Sequence, residues 1–563
     1  MLFFKWEFLV FMAVVLPGFY ALRRTRFWIP WLLAASYIFY ARWNPYYLLL
    51  VIYSTALDYL LVTLMDHCPR TRGISPPPGL AREARHAEDD LQSKLGLSRN
   101  PGEDSQRRLL PYTNEARDSV LNGALLISLG LAATLIGGAA FGPSSLRPTF
   151  IVFSVLVLLM ALGAWQASRR VWLFISIVNN LTLLLFFKYA RFVEQNLNQL
   201  FASLHASFRL HDPSSLMPHG FAYLLPVGIS FFTFQSMSYT IDFYLAKVAR
   251  ERNILRFATF VCFFPQLMAG PIERARQMLP QFQQAPPFRL QNLTDGASLF
   301  LGGLFKKVAI ANYLGIYVER VYGTPTNYSA PTLALATVAF AWQIYADFSG
   351  YTDMARGLAR MMGFHLVINF NHPYLSSGLG EFWTRWHISL STWFRDYLYI
   401  PLGGNRRGTL ATYRNLLIVF VVSGIWHGAA WTYVIWGLLH AIGIMLTREL
   451  ERSQFYRERI PKIAKQIGVF AFVCFAWIFF RASSLSDAGL IIGRIFSSLW
   501  TSPQVPALML AIILAVWLYQ WMCESGLRQM LRFGPLRVAI AASMMIYLSL
   551  CATGGGAFIY FQF

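Results

Sequence analysis

Long apolar runs recur along this chain and leave it few ways to fold: Leu121–Phe141, Phe150–Gln166, Val171–Phe187, Phe221–Leu245, Leu416–Leu446, Ile467–Phe480 and Ala507–Trp521. A backbone in lipid must satisfy its own N–H and C=O groups, and a helix needs about 20 apolar residues to cross the hydrocarbon core. The runs therefore predict an all-α, polytopic integral membrane protein with roughly 11 to 13 membrane segments, some of them tilted or re-entrant. Composition agrees, at 56% hydrophobic and 13% charged residues over 563 positions, well below the ~25% charge of soluble domains. Met1–Tyr20 carries Lys5 and Glu7 and has no small-residue cleavage site before Arg23. It reads as a retained span rather than a removed signal peptide.

A net charge of +21 would suit a nucleic-acid partner, but the basic residues lie in short loops, where the positive-inside rule explains them first. With the amino terminus outside, the inside loops hold Arg23, Arg24, Arg26, the basic residues of 66–119, Arg169, Arg170, Lys247, Arg250, Arg252 and Arg256. Over the same first 256 residues the outside loops hold Arg42, Arg147, Lys188, Arg191 and Arg209. This asymmetry favours an outside amino terminus and no nucleic-acid partner. The five cysteines are far apart and lack CxxC spacing, so neither a disulfide framework nor a metal site is expected.

Three segments interrupt the apolar pattern. Residues 66–119 mix both charges around Pro76–Gly79 and hold few large apolar side chains, which predicts a hydrophilic cytosolic loop insertion. Arg191–Gly220 reads as an amphipathic cap at the membrane surface. Phe260–Pro280 contains Pro265, Gly270, Pro271 and Pro280 and should not form one straight helix. Irregular backbone at membrane depth survives only against protein or a water-filled cavity, so this segment is a candidate cavity lining.

Most histidines (His67, His86, His205, His211, His219, His365, His372) fall in loops or at segment ends, leaving His387, His427 and His440. His427 has apolar residues for several turns on either side, and ionisable groups at membrane depth are functional candidates. Gly424 and Gly428 beside it leave room either for a substrate or for close helix packing. In FWTRWHISLSTWFRDYLY (Phe382–Tyr399), one continuous helix would align Trp383, His387, Ser391 and Arg395 along a polar stripe. Arg385, Arg395 and Asp396 cost about 2.5–3.5 kcal/mol each if unpaired at the bilayer centre, so they should face partners or water. A structural ion-pair network is the plainer account of them and of Asp347, Asp353, Arg356 and Arg360. P-loop, GxSxG, HExxH and dinucleotide-binding signatures are not found in the sequence.

Phe382–Gly408 (FWTRWHISLSTWFRDYLYIPLGGNRRG) and Ser423–Gly443 (SGIWHGAAWTYVIWGLLHAIG), with Leu225–Tyr244 and Phe264–Phe282, resemble the membrane-bound O-acyltransferase (MBOAT) family. The likeness is to its bacterial branch of alginate O-acetylation and teichoic-acid D-alanyl transfer proteins, and it is strongest over residues 225–443. The 66–119 insertion has no counterpart in that pattern. The resemblance implies one membrane acyltransferase domain over residues 1–563, with a central tunnel in which a cytosolic thioester donor, acetyl-CoA above all, meets an outside hydroxyl at a buried histidine. Motif matching assigns His427 as that histidine and His387 as the second family histidine. A neutral imidazole suits general-base work, and His387 would orient substrate or stabilise the oxyanion. Arg385, Ser391, Arg395, Asp396, Trp383, Trp426, Asp347 and Asn371 are candidate donor or substrate contacts, with no bound cofactor or metal implied.

The implied activity is transfer of an acyl group, chiefly acetyl, across a bacterial inner membrane to an exopolysaccharide such as alginate, through a separate periplasmic acetyltransferase. D-alanyl or other acyl transfer to teichoic acid or lipid is the alternative within the family. A broken-helix transporter and a structural subunit of an export complex are the alternatives outside it.

Overall fold

In a computed structural model of the chain, residues 2–69, 114–141, 147–217, 223–268, 270–497 and 504–551 are described. Among them every regular element is a helix. Eight are long and apolar enough to cross a membrane, from Pro45–Asp66 to Ala507–Glu524, and five shorter apolar helices such as Trp6–Leu22 and Trp28–Ala41 accompany them. The chain is a multi-pass membrane protein. By internal contacts it divides into two units, so the 225–443 stretch is shared between them.

One unit comprises Leu22–Phe264 and Glu273–Ala285. Its helices start where sequence chemistry favours it: Asn44 accepts from Tyr46 N at 3.0 Å, with Pro45 in the first turn of Pro45–Asp66. The fully buried Asp58 carboxylate accepts from Ser176 Oγ (2.6 Å), Asn180 Nδ2 (2.9 Å) and Ser236. That network joins Pro45–Asp66 to the helices Arg169–Ser203 and Ile229–Tyr244. Within the predicted Phe221–Leu245 run, residues 223–228 are not helical and the helix begins at Ile229, where Gly228 at φ +77° turns the chain into it.

The Phe260–Pro280 segment is broken as expected, into Ile254–Cys262, Phe264–Leu267, Ala275–Met278 and a 3-10 turn. Buried side chains satisfy its loose backbone within this unit: Gln235 Nε2 donates to Phe260 O at 2.5 Å, and Phe264 N to Ser36 Oγ at 3.1 Å. The expected surface cap at Arg191–Gly220 is helical as far as Ser203, continuing the preceding helix. Asn198 then ties Leu210 through both its N–H (2.8 Å) and its carbonyl (3.0 Å). Of the expected 66–119 loop, residues 70–113 lie outside the described residues, and 114–119 already belong to the helix Asn114–Phe141.

The other unit comprises Met1–Ala21, Pro265–Ile272 and Pro286–Phe563. Its centre is the 32-residue helix Ala330–Met361, crossed by Leu290–Phe305 so closely that a Cβ on Gly303 would meet Gly350 O at 2.5 Å. Lys307, in a π-helical turn, pairs with Asp347 at 2.8 Å, both buried. Five further helices, Leu379–Arg385, Ile388–Phe394, Thr409–His427, Trp431–Leu450 and Lys462–Arg481, carry the candidate site.

Candidate active site

The Phe382–Tyr399 stretch is not one helix, which corrects the continuous polar stripe. The helix Leu379–Arg385 ends, Trp386 is extended, and His387 adopts φ +43°, ψ +53° before Ile388–Phe394 begins. The backbone there bonds to the neighbouring irregular segment instead of to its own preceding turn: Asn371 N donates to Arg385 O and Ile388 N to Asn369 O, each at 2.9 Å. A left-handed residue other than glycine is strained, and Asn369 offsets that strain. Its Oδ1 accepts from Ser389 N (3.1 Å) and Ser389 Oγ (2.9 Å), capping the new helix, and lies 3.2 Å from His387 Nδ1. Because Oδ1 only accepts, His387 Nδ1 carries the proton and Nε2 is the basic nitrogen. Burial holds this imidazole well below its ordinary pKa, so it is neutral.

His427 is not mid-helix. It is the last residue of Thr409–His427, where extended Gly428 ends the Leu416–Leu446 run as a helix and Trp431–Leu450 returns. The two helices cross on glycine: a Cβ on Gly424 would meet Tyr433 O at 2.2 Å, and one on Gly437 would meet Phe420 O at 2.2 Å. A Cβ on Gly428 would meet the Tyr433 ring at 2.1 Å. Close packing therefore accounts for these glycines. The His427 ring is 3% exposed as a residue and meets Trp426, Trp436 and Phe480 at centroid distances of 4.9, 5.0 and 5.4 Å.

Trp426 links the two histidines, with its ring 6.1 Å from that of His387. Phe348 packs edge-on against His387 at 4.7 Å. Trp383 packs on Trp436, with ring centroids 5.7 Å apart, and donates to His440 Nδ1 at 3.3 Å. Ser391 Oγ donates to Trp386 O at 3.2 Å. The remaining candidates are elsewhere. Arg385 pairs with Glu381 (2.8 Å) and Glu524, Arg395 with Asp396 (2.9 Å), Asp347 with Lys307, and Asn371 is exposed. These charged groups form ion pairs of their own. Asn369 is the functional neighbour that sequence reasoning missed. In INFN (Ile368–Asn371) two asparagines stand two apart, and only the backbone exchange at His387 selects the first.

Compared with known proteins, residues 171–486 match the model of the membrane-bound O-acyltransferase family, over more than half of the chain. The chain belongs to that family. "Probable alginate O-acetylase AlgI" of Pseudomonas putida is 41% identical over 339 residues, covering 60% of this chain and 67% of that protein. The peptidoglycan O-acetyltransferase of Helicobacter pylori is 38% identical over 350 residues, covering 57% and 64%. The teichoic acid D-alanyltransferase of Streptococcus thermophilus is 27% identical over 408 residues, covering 67% and 95%. As an MBOAT protein the chain is a membrane acyltransferase, and both histidines, Asn369 and Trp426 lie inside the matched residues.

Proposed function

We propose that this MBOAT protein is an O-acetyltransferase of the bacterial inner membrane. It takes acetyl from a cytosolic thioester, acetyl-CoA, and moves it across the membrane for O-acetylation of an exopolysaccharide such as alginate, through a separate periplasmic acetyltransferase. The observation that carries this reading is that His427 and His387 are both in ring contact with Trp426 and both buried among aromatic rings. The naming of relatives at about 40% identity as alginate O-acetylases supports the acceptor class.

In the step itself His427 takes the proton of the attacking hydroxyl as its oxygen bonds to the thioester carbonyl carbon. The C–S bond then breaks, and the proton passes from His427 to the departing thiolate. His387, neutral with a lone pair at Nε2, accepts a hydrogen bond from the hydroxyl and orients it. The distribution of basic residues supports an outside amino terminus.

The test is transfer from labelled acetyl-CoA in membranes holding wild type, His427→Ala or His387→Ala at matched protein levels. Loss of a general base lowers the rate by about 10²–10⁴-fold, so His427→Ala should abolish measurable labelling and His387→Ala should weaken it less. Undiminished labelling with His427→Ala would overturn the mechanism. An absolute need for a charged carrier protein would move the donor assignment to the D-alanyl class.

A further inference from the structure

Trp436 and His440 stand four residues apart on one face of Trp431–Leu450, and Trp477 reaches them from Lys462–Arg481. Their ring centroids are 4.8 Å (Trp436–His440), 5.9 Å (Trp436–Trp477) and 6.5 Å (His440–Trp477) apart. All three are fully or almost fully buried. An indole N–H can only donate, so the Trp383 Nε1–H bond to His440 Nδ1 at 3.3 Å fixes the His440 proton on Nε2. Trp436 Nε1, Trp477 Nε1 and His440 Nε2 are therefore three donors, and none has an acceptor among the described residues. A single buried donor without a partner is costly. Here three such donors sit on rings that pack against one another in one aromatic cluster.

The reaction requires such donors. His387 presents a lone pair, not a proton, at Nε2, and so cannot donate to a developing oxyanion from that nitrogen. Trp436 is in ring contact with both His427 (5.0 Å) and His440 (4.8 Å), which places the donor group next to the base. We propose that the N–H groups of Trp436, Trp477 and His440 bind the carbonyl oxygen of the acyl donor and stabilise the charge it gains under attack. This rests on the acetyl-transfer reading above. Donors of this kind are already oriented before reaction and act most strongly where water is excluded.

The variants are Trp436→Phe and Trp477→Phe, which keep a ring and remove the N–H, with His440→Gln and His440→Leu to keep or remove a donor near Nε2. Each is assayed in membranes for kcat and KM, and for binding of two unreactive donor analogues: a methyl ketone that keeps the carbonyl and an ethyl thioether that lacks it. We expect Trp436→Phe to lower kcat about 10²-fold, the loss typical of one oxyanion donor, with KM unchanged. It should also weaken the ketone analogue while leaving the ethyl thioether bound as in wild type. His440→Gln should recover activity that His440→Leu loses. A wild-type ratio of ketone to thioether affinity in all variants, with kcat preserved, would overturn the proposal and leave water as the occupant. Wild-type transfer reports on the acetyl-transfer reading, whereas the ratio between variant and wild type reports on the donor site.

Discussion

His387 combines three features that fit a working group better than a filler of the core: a left-handed backbone, a hydrogen bond to Asn369 that sets its tautomer, and full burial. The neutral form is the one the fold accommodates. Its pKa is lowered by folding, so the unfolded chain binds more protons below the ordinary imidazole value of about 6.5, and stability falls as pH drops through that range. Detergent-solubilised protein should therefore melt at lower temperature at about pH 5 than at about pH 7.5, and His387→Asn should lessen the difference. Identical pH dependence in the two proteins would remove His387 as its source. The burial of His387 and His427 was legible in the sequence because an imidazole among tryptophans and apolar residues is conspicuous. Asn369 was not, since its place beside His387 depends on a contact across 18 residues in sequence.

At the scale of the helices, the apolar runs located most spans but concealed their interruptions. Leu416–Leu446 reads as continuous, yet the hairpin at Gly428 divides it and puts His427 at a helix end. The Phe382–Tyr399 break was invisible because it contains neither glycine nor proline; the backbone leaves the helix to pair with residues 369 and 371. The glycines beside His427 had two readings in sequence, and only the Gly424–Gly437 crossing decides between them. A methyl group at Gly424 would meet a backbone carbonyl, which cannot rotate aside as a side-chain tip can. Gly424→Ala should cost at least the ~1–3 kcal/mol usual for overpacking, read as a lower melting temperature together with lost transfer. Wild-type stability in that variant would mean that the helices separate easily at this point.

For the whole molecule, the uneven distribution of basic residues predicts sidedness. In a cysteine-free background, a cysteine at Arg252 should react with an impermeant thiol reagent only from the cytosolic face, and one at Arg209 only from the outside. Both positions are exposed, so reversed labelling would invert the assigned orientation. The all-helical, multi-pass character was legible because lipid imposes length and polarity together, and among the described residues eight helices are long and apolar enough to cross, with five shorter apolar ones beside them. The division into two units was not, since residues 265–272 leave one unit and return to it, an exchange that no local pattern encodes.

The aromatic enclosure of His427 also bears on how the protein matures during synthesis. Phe480 and Trp477 lie on a helix that begins at Lys462, more than thirty residues after the histidine it covers. A chain still emerging from the ribosome lacks that wall, so the enclosure of His427 is complete only once the later helix has been made and packed.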